Sequence, residues 1–163
     1  MGRGERSGLS SSKRSMGSVR TTRPRKVFID SSVLIAAAIS ETGAARAVII
    51  EGMRGTLELF LSSLVLEETE RNLVRKAPAA VPAFRLFAET FPVGPLDPSR
   101  AQILQASRVV DPKDAPIVAA AVRVRAEYLA TYDRRHLLAY KESIQARFDV
   151  MVSTPDEVLR ALR

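Results

Sequence analysis

The sequence predicts an α/β fold of three layers, α/β/α, with a central parallel sheet of four to five strands. Short, near-continuous apolar runs alternate with longer helical patterns, two of those runs end in an acid, and helix-start signals recur at short intervals. A strand that is apolar throughout is covered on both faces, as parallel strands between two helical layers are.

The first run, Lys26-Val27-Phe28-Ile29-Asp30, reads as a buried strand. It feeds a helix through Ser31-Ser32, with serine available as N-cap, into Val33-Leu34-Ile35-Ala36-Ala37-Ala38. A second helix begins near Gly43 and runs to Met53, with Gly52 and Gly55 at its exit. Leu57 to Leu61 is the second strand, and Ser62-Ser63 starts a helix whose first turns carry Glu67 and Glu68. The Pro- and Ala-rich stretch 77–98 predicts a helix near 83–90 and a short strand near Val93. Asp97-Pro98 reads as N-cap plus Pro at the first helical position, opening a helix to about Arg108. Asp111-Pro112-Lys113-Asp114 repeats the signal before an Ala/Val-rich helix to Arg125. Tyr128 to Tyr132 and Phe148 to Val152 complete the strands. Thr154-Pro155-Asp156-Glu157 opens a closing helix with Val158, Leu159 and Leu162 as its apolar stripe.

With 163 residues and 46% hydrophobic content, the chain suffices for one domain with a sizeable core. The absence of cysteine excludes disulfides, thiolate metal sites and cysteine nucleophiles. No apolar run approaches the length of a membrane span, and the N-terminus lacks the apolar core of a signal peptide, so a soluble cytoplasmic protein is expected. The formal charge of +7 lies in residues 1–26, where eight Lys/Arg face only Glu5; the remaining 17 basic and 17 acidic residues cancel. Residues 1–25 therefore read as a disordered basic tail and residues 26–163 as the folded domain. The tail is either an electrostatic arm for RNA phosphates or an idle leader, with Met16 able to begin the chain.

In parallel sheets ligands bind beyond the carboxyl ends of the strands. Asp30 and Asp133 each come directly after a strand, and Glu68 and Asp114 lie near helix starts, which face the same edge. Each acid has an ordinary alternative. Asp114 or Asp111 can cap a helix for about 1 kcal/mol, Glu68 can be a solvated acid near a positive dipole end, and Asp30 and Asp133 can cap the helices next in the chain. Together, four carboxylates at one edge repel one another unless cations lie between them. Oxygen-only donors suit Mg²⁺ or Mn²⁺, and ions so held can support phosphodiester cleavage. Other metal-binding α/β folds gather acids at a sheet edge as well.

Four segments resemble the motifs of PIN-domain nucleases. Val27-Phe28-Ile29-Asp30-Ser31-Ser32-Val33-Leu34-Ile35 is similar to the opening motif, a strand ending in the first metal-binding Asp, with Ser32 as the small polar residue two positions on. Ser63-Leu64-Val65-Leu66-Glu67-Glu68-Thr69-Glu70-Arg71-Asn72-Leu73 resembles the second, whose acid stands five residues before a Leu and so selects Glu68 over Glu67. Asp111-Pro112-Lys113-Asp114-Ala115-Pro116-Ile117-Val118-Ala119-Ala120-Ala121 resembles the third and points to Asp114, with Asp111 auxiliary. Tyr128-Leu129-Ala130-Thr131-Tyr132-Asp133 resembles the fourth, giving Asp133 with Thr131 auxiliary. Val152-Ser153-Thr154-Pro155-Asp156-Glu157 is similar to the family's closing strand and helix. One departure is Tyr132, where a small residue is common and where a large ring can narrow the site.

The resemblance implies a Mg²⁺- or Mn²⁺-dependent endoribonuclease acting on single-stranded RNA, with Asp30, Glu68, Asp114 and Asp133 as metal ligands and reacting groups. Many small members are VapC-like toxins, which implies a cognate antitoxin protein and a homodimer as partners. Arg134 and Arg135 are candidate RNA phosphate contacts, or a solvated face; His136 reads as a surface or packing residue, and Phe84 and Phe87 as core. Two competing functions are an aspartate-nucleophile phosphoryl transferase of the haloacid-dehalogenase kind and a non-catalytic PIN-like module that binds RNA or protein. The first needs a second acid two residues after Asp30, where Ser32 stands. The second is disfavoured by the presence of all four acids.

Overall fold

A computed structural model describes residues 23–91 and 95–163. Four strands, β1 (Arg25–Ile29), β2 (Leu57–Phe60), β3 (Tyr128–Ala130) and β4 (Met151–Ser153), form one parallel sheet in the order β2-β1-β3-β4. Eight α-helices surround it among the described residues: α1 (Ser31–Ile39), α2 (Ala44–Met53), α3 (Ser63–Lys76), α4 (Val81–Thr90), α5 (Arg100–Ala106), α6 (Ala115–Arg123), α7 (Lys141–Phe148) and α8 (Pro155–Arg160).

Val27, Phe28 and Ile29 are buried in succession, as are Tyr128, Leu129 and Ala130, so both central strands are covered on both faces. Each large apolar side chain so enclosed contributes roughly 1.5–3 kcal/mol. From β1 the chain crosses to β2 on one side and later returns to β3 on the other. Right-handed crossovers in opposite directions place their helices on opposite faces. Accordingly α8 packs on α2, while α6, backed by α5, packs on β1 and β3. The reversal lies between β1 and β3, whose register pairs Ile29 with Ala130 and so sets Asp30 beside Thr131. That is the topological switch point at which open α/β sheets hold ligands.

Several element starts differ from those the sequence predicts. Neither Ser31 nor Ser32 caps α1: Asp30 occupies the N-cap position without a side-chain cap bond, and both hydroxyls are engaged elsewhere. Asp97 does not open α5. Its carboxylate accepts from the Ser63 amide and hydroxyl at 2.8 Å each, tying that loop to the start of α3, while Ser99 and Gln102 form the capping box of α5. The strand expected from Phe148 begins only at Met151, because α7 ends at Phe148 and Asp149 turns the chain with a φ of 58°. The first strand includes Arg25, whose guanidinium donates to the Tyr128 hydroxyl at 2.7 Å. The strand expected near Val93 and most of the basic tail lie outside the described residues. Phe84 and Phe87 are core residues, as expected. No single helix among the described residues is long and apolar enough to cross a membrane.

Candidate active site

Asp30, Glu68, Asp114 and Asp133 all line one cavity of about 380 Å³ at the switch point. Four segments supply them: the end of β1, the second turn of α3, the start of α6 and the loop after β3. Ser31, Ser32 and Tyr132 line it as well, and Lys113 is the one cation among its lining residues.

Asp30 is the most enclosed of the four, at 6% exposure. Its Oδ2 accepts from Ser32 Oγ at 2.8 Å and from Thr131 Oγ1 at 2.7 Å. Burial pushes its carboxyl above the ordinary value, and the Asp133 carboxylate adds to the rise, against the lowering effect of those hydroxyls. Each hydroxyl also accepts from the backbone of the loop after β3: Thr131 Oγ1 from the Asp133 amide at 2.9 Å, and Ser32 Oγ from the Tyr132 amide at 3.0 Å. That loop is thereby fastened to Asp30, with both auxiliary residues serving as connectors.

Asp114 sits at the N-cap of α6 without capping it. Its Oδ2 is buried and accepts no hydrogen bond among the described residues. His136 Nδ1 lies 3.4 Å away, close enough for charge attraction when the imidazole is protonated but without hydrogen-bond geometry. Burial raises the Asp114 carboxyl, only partly countered by His136 and Lys113, and Asp133 and Asp111 raise it further. Asp111 does not line the cavity; its carboxylate accepts from the Lys113 amide at 2.9 Å and shapes the turn before α6. Glu68 Oε2 accepts from Ser31 Oγ at 3.2 Å, while Glu67 is exposed outside the cavity. Asp133 Oδ1 accepts from the amides of Arg135 and His136 at 3.2 and 3.0 Å, so it also caps the turn beyond β3.

The acids share a cavity, yet no three His, Asp or Glu side chains among the described residues converge closely enough to hold one ion together. Glu68, Asp133 and Asp30 each have a hydrogen-bond partner of their own. Mg²⁺ in proteins keeps several waters and takes one or two carboxylates directly. An oxygen-only donor set with a buried, donorless Asp114 oxygen fits a hydrated divalent cation.

Of the two candidate RNA-contacting arginines, both exposed, neither lines the acid cavity; Arg134 lines a cavity next to it. Lys113 and Ser31 join the site without a role that the sequence alone assigns. Lys113 is legible there only as a motif neighbour, and Ser31 only as a candidate cap.

A PIN-domain family model matches residues 26–135, about two thirds of the chain. The chain belongs to the PIN-domain family. All four acids fall within the matched stretch. The crystal structure of PAE2754 from Pyrobaculum aerophilum superposes on this PIN domain with a TM-score of 0.60 at 20% identity, covering 85% of this chain and 97% of that one. At that identity the likeness shows the fold. A search of curated proteins gave no match. PIN domains are generally nucleases and typically use divalent metals, which agrees with the acidic, oxygen-only character of this cavity.

Proposed function

We propose that this PIN domain is a Mg²⁺- or Mn²⁺-dependent endoribonuclease that cleaves single-stranded RNA, with Asp30, Glu68, Asp114 and Asp133 at its reaction centre. The observation that carries the reading is the cavity at the switch point, lined by carboxylates from four separate segments and holding one buried oxygen with no donor. The four carboxylates that line the cavity would hold the ion, one or two directly and the others through its waters. When bound, such an ion activates a water and stabilises charge on the phosphoryl oxygens.

The chain's own residues do the positioning. Asp30 is kept in one orientation at the cavity wall by two hydroxyl donors. Thr131 and Ser32 transmit that position to the Asp133–Tyr132 backbone. Lys113 supplies a positive charge at the wall, suited to a non-bridging phosphate oxygen. Tyr132 lines the cavity, and an unpaired strand, unlike a duplex, has a base free to stack on its ring.

The test is incubation of purified protein with end-labelled single-stranded RNA, with Mg²⁺, with Mn²⁺ and in chelator. Water attack predicts products with 5′-phosphate ends and continued cleavage when the ribose 2′-hydroxyl at the cut is removed. Metal-independent cleavage giving 2′,3′-cyclic phosphate would refute the reading; binding without cleavage would indicate a non-catalytic module. That many small members of the family are VapC-like toxins supports a toxin role with an antitoxin protein and a homodimer as partners. Growth arrest on expression, relieved by a neighbouring small gene, tests that role.

A further inference from the structure

A second cavity, of about 410 Å³, adjoins the acid cavity, and Tyr132 lines both. Its volume falls in the roughly 300–1,000 Å³ range of small-ligand sites. Tyr132 is 38% exposed and belongs to both linings. Its backbone amide donates to Ser32 Oγ at 3.0 Å. An aromatic ring on a backbone so fixed is a preorganised stacking surface.

The charges in this second cavity are unevenly committed. Asp156 Oδ2 already accepts from Arg160 Nη2 at 2.8 Å, and Glu157 Oε2 accepts from the Thr154 amide at 3.1 Å. Arg134 and Lys141 line the same cavity and make no side-chain hydrogen bond or ion pair among the described residues. The open valence of the cavity is therefore an aromatic face plus two unanswered cations. That combination is complementary to one unpaired nucleotide, a base with its phosphate.

We propose that this second cavity is a nucleotide subsite, in which the nucleotide next to the scissile phosphodiester stacks its base on Tyr132 and sets its phosphate between Arg134 and Lys141. The subsite rests on the ribonuclease reading above. It gives a use to the large residue at position 132, the departure that sets this sequence apart from the common family pattern. Stacking is tolerant of base identity, so the subsite would hold and orient the strand more than read its sequence.

The experiment measures KM for cleavage of a fluorescein-labelled single-stranded RNA of mixed sequence by the parent, Tyr132→Phe, Tyr132→Ala and the Arg134→Gln/Lys141→Gln pair. Tyr132→Ala should raise KM about 5- to 150-fold, the range that base–aromatic stacking gives, and Tyr132→Phe, which keeps the ring face, should recover most of that loss. Substrates with a single abasic nucleotide scanned across the cut should remove the Tyr132→Ala effect at one flanking position only. Neutralising both cations should flatten the salt dependence of KM by about 0.7 in slope for each phosphate interaction removed. Should the alanine variant not fold, the parent decides the matter: KM rising at one flanking abasic position supports the subsite, and KM uniform across the scan refutes it. A parent that cleaves while folded Tyr132→Ala keeps its KM and the Arg134→Gln/Lys141→Gln pair keeps its salt slope refutes the subsite alone. A parent that neither cleaves nor binds RNA refutes the ribonuclease reading and the subsite with it.

Discussion

Replacing Asp114 by Asn should make the metal-free protein more stable. Asp114 Oδ2 is buried without a donor, its side chain is 14% exposed, and it caps nothing. A buried polar group left unpaired costs about 1–3 kcal/mol, and more when charged. Asparagine removes the charge but keeps an amide in the same place and gives up the attraction to His136, so the net gain should be about 0.5–2 kcal/mol. The pH dependence comes from the raised carboxyl. Between the ordinary value of 3.8 and the raised one, the folded state holds more protons than the unfolded state, so parent stability falls as pH rises through that window. The advantage of the variant is therefore full above the window and fades below the ordinary value. Urea melts in chelator at neutral and acid pH read this directly. Added Mn²⁺ should stabilise the parent by about 2.7 kcal/mol at a hundredfold excess over Kd, and the variant much less. An Asn variant that is less stable in chelator at neutral pH, equally responsive to Mn²⁺ and still active would show that Asp114 serves the fold rather than the site.

Thr131→Val keeps the shape but removes the oxygen that donates to Asp30 and accepts from the Asp133 amide; it should cost about 1–3 kcal/mol in denaturant melts and sharply lower cleavage, with Thr131→Ser close to the parent. Asp111→Ala should lose about 0.5–1.5 kcal/mol through the Lys113 turn bond while cleavage persists, and Asp111→Asn should restore the turn, both read by melts beside an RNA assay. A methyl at Gly52 would stand 2.6 Å from Leu59 Cγ, in the core between α2 and β2; Gly52→Ala should destabilise by about 1–3 kcal/mol in a melt, and less in a Leu59→Ala background.

Asp30 and Asp133 are legible in the sequence because each ends or directly succeeds an apolar run, and a parallel sheet delivers such residues to one edge. Glu68 and Asp114 need the motif resemblance, since the residues alone allow a solvated acid or a cap. Strand order is not legible: the neighbourhood of Thr131 and Asp30 depends on pairing across about a hundred positions, which local pattern does not encode. Helix α7 escapes because only Ile144 is buried on it, leaving no apolar stripe to read. The Ser99/Gln102 capping box is visible as a spacing, but the Asp97-Pro98 signal two residues earlier competes with it, and only the tertiary bond from Asp97 to Ser63 decides between them. The connectors Ser31, Ser32 and Thr131 acquire their partners through space, and the donorless state of Asp114 Oδ2 arises from its surroundings.

We propose that the four-acid cavity cleaves RNA through a divalent cation held by its carboxylates. The decisive measurement is single-turnover cleavage of one labelled RNA as a function of Mn²⁺ concentration, in the parent and in Asp30→Asn. Asn retains an oxygen for the Ser32 and Thr131 hydroxyls, so the fold should persist while the charge is lost. Cleavage by the parent should depend saturably on Mn²⁺ and cease in chelator, and a folded Asp30→Asn should cleave about a hundredfold more slowly or worse, in the range of about 3 kcal/mol of lost transition-state stabilisation. Cleavage by Asp30→Asn at the parent rate, or undiminished in chelator, would contradict it.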